Sequence, residues 1–297
     1  MNDYLSELVE LDRRGFILPP ETDPEDHIDG SRRTLEWAGA VRQELDKRGA
    51  AEVMGVEFRA DQLLSADSMR TCLAPATRAY GVEPDWVPAF YSNEFLPWYV
   101  GGASFYGMAE GAFKVCFVLR EVFRERERWL LYNRTEIAAH ETCHVARAGF
   151  NQLQFEEPCA YAISRSALRR VLGGMFTRGW ESLAFLGSSL LLIAGSVADM
   201  LGGPSWVRMA SGVPLALTGT GLAVRSMLNV RTLRCAQRFL ATTYGSLAPA
   251  ITFRCTDEEV RSLAALKSGD VSPGEWIDQQ PRTPRWEIIR RRFISED

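Results

Sequence analysis

TEIAAHETCHVARA, residues 135–148, is the stretch from which the rest of the chain can be read. Asn133 followed three residues later by Glu136 forms a capping box, and Gly149 is a suitable stop, so local signals place a helix between them. His140 and His144 stand one turn above each other on that helix, so both imidazoles reach a single tetrahedral ion about 2.0–2.1 Å from each nitrogen. Glu141 lies beside that face. It is poorly placed to join the same coordination sphere, but it can take a proton from a metal-bound water. The chain has three histidines and two of them are here.

An open zinc site needs a third protein ligand. The remaining histidine, His27, lies in the acidic turn PEDHIDG and reads as a surface residue, so a carboxylate is expected. Glu156 and Glu157 are available to supply it. They open the next predicted helix, which begins near Phe155 and continues through EEPCAYAISRSALRRVL, with Pro158 tolerated in the first turn.

HETCH followed by FEEPCAYA resembles the gluzincin arrangement, in which HExxH on one helix is completed by a glutamate on the next. The likeness is greatest to the membrane-bound CAAX-prenyl endopeptidases and related membrane zinc proteases. Their ligand glutamate begins an ExxAD pattern, which Glu157, Pro158, Cys159 and Ala160 match, so the resemblance implies Glu157 as ligand with Glu156 as second choice. Tyr161 stands where those families have aspartate, so support for a metal histidine must come from elsewhere, with Glu156 the candidate. The loop between His144 and Glu157 is shorter than in those enzymes, and the likeness is confined to the metal site. It implies Zn2+ as cofactor, a peptide or protein as substrate, and hydrolysis through a zinc-activated water with Glu141 as general base. Tyr161 and Arg147 are candidates for stabilising an oxyanion. The alternative is a non-catalytic zinc-binding membrane scaffold or sensor, in which a residue such as Glu141 would have no use.

Upstream, AFYSN, WYVGGASFYG and KVCFVLREVF read as strands of a small mixed sheet, and KVCFVLREVF offers an edge for an extended peptide. Trp86, Phe90, Tyr91, Phe95, Trp98 and Tyr99 read as sheet core. Residues 1–80 read as a helical lead-in, with helices over Asp3 to Gly15 and Ser31 to Arg48 joined by a proline-rich acidic linker.

Downstream lie two uncharged runs, Ser182 to Ala198 and Met209 to Val224, near the lower length for crossing a bilayer of about 30 Å. Extended at their ends, they predict a transmembrane hairpin turning at Gly202-Gly203-Pro204. Gly212, Ala216 and Thr220 would pack against Ala194 and Ala198. Arg165, Arg169, Arg170 and Arg178 precede it, and Arg225, Arg231, Arg234 and Arg238 follow it. The positive-inside tendency therefore puts both flanks in the cytoplasm, giving a two-span protein of the cell membrane.

The expected organisation is an α+β metallopeptidase domain at 81–178, the hairpin at 179–226, and a cytoplasmic C-terminal region at 227–297. Thr256 and Glu259 start a capped helix there, and the basic end IIRRRF reads as a solvated helix face. A formal charge of −4 across 297 residues gives no basic field, so nucleic acid is not expected as a partner. Six cysteines without CxxC spacing fit reduced thiols, and the acidic start MNDYLSELVELDRRGF lacks the layout of a secretory signal.

Overall fold

A computed structural model describes residues 2–152, 154–266 and 271–294. The chain begins with α1 (Asn2–Arg13) and α2 (Pro24–Arg48), the latter capped by the Asp23 carboxylate and closed by Gly49 at φ 72°. A β-hairpin follows, β1 (Ala50–Val53) with β2 (Val56–Arg59), and then α3 (Ala66–Tyr80). The lead-in is therefore not wholly helical, and half of the proline-rich acidic segment belongs to α2. His27 is only half exposed, its Nε2 lying 3.1 Å from the Phe16 carbonyl.

The sheet is mixed. β3 (Ala89–Tyr91) runs parallel to β5 (Ala112–Leu119), and β5 is antiparallel to β4 (Gly102–Ala109), in the order β3-β5-β4. β5 is thus central and has no free edge, contrary to the expectation for KVCFVLREVF; the long open edge belongs to β4. Trp86, Phe90 and Tyr91 are core, whereas Phe95, Trp98 and Tyr99 are exposed.

A short hairpin, β6 (Arg128–Trp129) and β7 (Tyr132–Asn133), delivers the chain to α4 (Arg134–Arg147). Asn133 caps α4 by accepting from the Glu136 amide at 3.0 Å. The Glu136 carboxylate does not complete a box. It accepts instead from Ser164, the Arg165 amide and Arg169 at 2.8–3.1 Å, holding the next helices against the start of α4. These are α5 (Glu156–Ala162) and α6 (Ala167–Leu172), two short helices where one was expected, because Ser166 caps a new start at Ala167 by accepting from the Arg169 amide.

Two helices long and apolar enough to cross a membrane follow, α7 (Gly179–Met200) and α8 (Ser205–Tyr244). Only 6% of each apolar window is buried, so the hairpin is not the core of a soluble domain. They pack tightly at Gly195, where an added Cβ would stand 2.0 Å from Ser211 Oγ. Ala194, Ala216 and Thr220 are exposed, so the packing face is rotated from the expected one. At the domain end, Arg225 binds Glu181 and the Met175 carbonyl, each at 2.8 Å.

The far half of α8 enters the domain and buries Leu233, Ala236 and Leu240 in a core shared with α9 (Ala248–Phe253), α10 (Asp257–Ala265), α11 (Pro273–Asp278) and α12 (Pro284–Phe293). The same core takes Ile17, Tyr80, Cys143 and Cys159, so residues from 1–80, 81–178 and 227–297 pack together. Thr256 and Glu259 form the expected capping box. The basic end is not simply a solvated face: Arg292 pairs with buried Asp12, and Arg290 with Glu287.

Asp12 also receives Arg254 Nε at 2.9 Å, and both partners of that pair are about 1% exposed. Replacing Asp12 by Ala strands a buried guanidinium. The expected loss is about 3–5 kcal/mol of stability, read from the denaturation midpoint of the purified protein in detergent.

Candidate metal centre

Helix α4 buries Ile137 to Ala139, Thr142, Cys143 and Val145 to Arg147, which leaves His140, Glu141 and His144 as one half-buried stripe. The four-residue offset puts His140 and His144 on one helical face, and Glu141, three residues before His144, borders it. Opposite stands α5, whose first turn presents Glu156 and Glu157. Its position is set from several sides. The buried Tyr80 hydroxyl donates to the Cys159 carbonyl at 2.6 Å, Gln154 bonds Asn229 of α8, and Gly174 packs so closely that its Cβ would lie 3.0 Å from Glu157 Cβ.

The three expected ligands converge. The Nε2 atoms of His140 and His144 are 3.0 Å apart, and the Glu157 carboxylate oxygens lie 3.8 Å from the first and 3.6 Å from the second. Ligand atoms 2.0–2.1 Å from a tetrahedral ion stand about 3.3–3.4 Å from one another. The observed spacings bracket that edge, and two imidazoles with a carboxylate suit zinc among other divalent ions. His140, His144 and Glu157 could therefore hold a metal ion. Glu156 points elsewhere, its Oε1 lying 2.7 Å from His144 Nδ1, where it orients the ring.

Burial disfavours charge on all three groups, and their neighbours decide which of them recover it. Desolvation, reinforced by the charges of His144 and Arg169, holds His140 down to about 3. Desolvation also opposes charge on His144, but the Glu156 hydrogen bond and the carboxylates of Glu157 and Glu141 outweigh it and lift the ring to about 9. Burial raises Glu157 to about 7 against the pull of His144. Before any ion binds, His144 is therefore the cation. Its Nδ1 lies 2.7 Å from Glu156 and its Nε2 3.0 Å from His140 Nε2, the contacts a protonated ring can serve.

Glu141 faces the sheet. Its Oε2 accepts from the Ser104 amide at 3.0 Å and the Ser104 hydroxyl at 2.5 Å, tying it to the open edge of β4. The Tyr161 ring lies 4.4 Å from that of His140, and burial followed by the Glu157 charge pushes its phenol up to about 12, so it stays a proton donor. Arg147 is elsewhere. Its buried guanidinium donates to the Phe253 carbonyl and lies over the Phe150 and Phe253 rings, joining α4 to α9. Cys143 and Cys159 are buried thiols in the shared core.

No family model, curated protein or solved structure matches the chain. The reading of the site therefore rests on its own geometry. Ser104 and the packing glycines Gly173 and Gly174 are contributors that the sequence does not reveal, since GASFYG marks a strand without distinguishing its serine.

Binding a metal must discharge this cluster. At pH 7, His144 gives up nearly one proton and Glu157 about half of one, while His140, already neutral, gives none; the expected release is about 1.5 protons. Affinity should rise about tenfold per pH unit from 7 to 9 and level off above, as calorimetry in buffers of differing protonation enthalpy will show. Glu156→Gln weakens the hold on the His144 ring and should lower metal affinity about 10–100-fold in competition with a chelator.

Proposed function

We propose that the chain is a membrane-anchored zinc metallopeptidase of gluzincin type, with Glu141 as general base and His140, His144 and Glu157 as ligands. The observation that carries this reading is the convergence of three ligand groups beside a separate carboxylate that is held on an open strand. A zinc ion held there would supply a Lewis acid that acidifies water and polarises a carbonyl.

The remaining chemistry falls to side chains and main chain. Ser104 bonds only the Oε2 of Glu141 among the described contacts, which leaves Oε1 to accept the proton of the attacking water and return it to the departing amine. Tyr161, protonated and packed on His140, is the donor available to a developing oxyanion. Arg147 is committed to the core and has no part in it.

Substrate binding follows from the register of β4. Arg120 donates to the Gly101 carbonyl at 2.9 Å, and Ser104 stands opposite Phe117. In an antiparallel pair this turns the main-chain groups of Ser104, Tyr106 and Met108 away from β5. The Ser104 amide is taken by Glu141, so an extended peptide can pair with the Ser104 carbonyl and the main chain of Tyr106 and Met108 and pass Glu141, giving main-chain recognition with limited sequence preference. The arginines outside the hairpin favour, by the positive-inside tendency, a domain on the cytoplasmic side.

Glu141→Gln should keep the metal and lower hydrolysis at least about a hundredfold. The measurement pairs metal analysis with mass spectrometry of a peptide library digested in detergent. Metal without cleavage in the wild type would instead identify a non-catalytic scaffold.

A further inference from the structure

Several large apolar side chains outside the hairpin are mostly exposed: Trp98 at 77%, Tyr99 at 56%, Leu130 at 67%, Leu131 at 90% and Leu168 at 68%. They come from three segments that touch one another. Arg120 lies over the Trp129 ring at 4.8 Å and donates to the Val100 carbonyl at 2.9 Å, linking the loop of Trp98 to the β6–β7 hairpin. Tyr132 of that hairpin packs where a Gly101 Cβ would be, and Arg169 of α6 lies 6.0 Å from the Tyr132 ring. The three segments thus form one patch.

The patch continues to the base of the apolar hairpin. Ser226 of α8 donates to the Val171 carbonyl of α6 at 2.6 Å, and Arg225 binds both the Met175 carbonyl and Glu181 in the first turn of α7. Exposed Arg165 and Arg178 flank α6, and exposed Trp180 opens α7. Aromatic and arginine side chains around protruding leucines are the composition that settles at headgroup depth. The hairpin tip adds a second observation. Leu130 is held at φ 51°, a conformation that favours glycine, while Leu130 and Leu131 both point into solvent. The φ itself is that of a two-residue hairpin turn, as at Met54, so it is the outward projection of the two leucines that carries the argument.

We infer that the β6–β7 tip, the Trp98–Tyr99 loop and α6 seat in the headgroup layer of the bilayer that α7 and α8 cross, which sets the His140–His144–Glu157 site at the lipid surface. The site is close to this layer, because Gly174, which packs on Glu157, is followed at once by Met175, whose carbonyl Arg225 holds. The inference rests on α7 and α8 spanning the bilayer. It does not depend on catalysis.

The test uses the full chain in vesicles of phosphatidylcholine and phosphatidylglycerol, with no other protein present. An environment-sensitive fluorophore is placed by Leu131→Cys in a Cys235→Ser background, since Cys235 is the one thiol that is not buried. Leu190→Cys, within α7, and Glu110→Cys, at the β4–β5 turn, serve as references. Lipids carrying a quencher in the upper acyl chain should at least halve the emission at positions 131 and 190 and leave position 110 unchanged. A label at 131 that behaves like the one at 110 overturns the seating. An unquenched label at 190 removes the spans and the seating together, while metal binding and hydrolysis, measured separately, stand or fall on their own.

Discussion

Two imidazoles and two carboxylates share a small, largely dehydrated space between α4 and α5, and the rest of the domain is arranged so that they stay there. Charges withdrawn from water are tolerated only where they neutralise one another. Here a single proton-rich imidazole, His144, is balanced by Glu156 and Glu157, while His140 stays neutral. That balance needs α5 held against α4 to within a fraction of an ångström. A seven-residue helix cannot ensure this by its own stability.

The restraint comes from distant parts of the chain. Tyr80 at the end of α3 grips the Cys159 carbonyl, Asn229 of α8 and Asp257 of α10 hold Gln154, and the turn at Gly173–Gly174 closes over Tyr161 and Glu157. Arg254 and Arg292 converge on Asp12, so that the first helix and the last close the same core around α4. The N- and C-terminal regions are in this sense the walls of the site.

Local signals in the sequence carry the site better than they carry the fold. The histidine spacing, the Asn133 cap and the pair Glu156–Glu157 are short-range features, and the structure brings their side chains together. Ser104 is 37 residues from Glu141, and nothing near either residue announces their contact. The β1–β2 hairpin turns through Met54 and Gly55 at φ 55° and 81°, where methionine gives no turn signal of the kind that asparagine would. The break between α5 and α6 falls at Ser164-Arg165-Ser166, a polar step that reads equally as one solvent-facing turn of a single helix. In the hairpin, the small residues do mediate close packing, but Gly195 against Ser211 decides the rotation, a choice between neighbouring faces that composition cannot make.

Helix α8 runs unbroken for 40 residues, about 60 Å at 1.5 Å per residue. Its first half is apolar and outward-facing, and its second half buries Leu233, Ala236 and Leu240 beside Cys143 of α4. A span adapts to a thicker or thinner bilayer chiefly by tilting. Beyond Pro214 this rod has no proline at which to absorb the tilt, so any lean it adopts is transmitted to the floor beneath the two histidines. With the apolar half in a bilayer, as proposed above, membrane thickness would become a mechanical input to the geometry of the cluster.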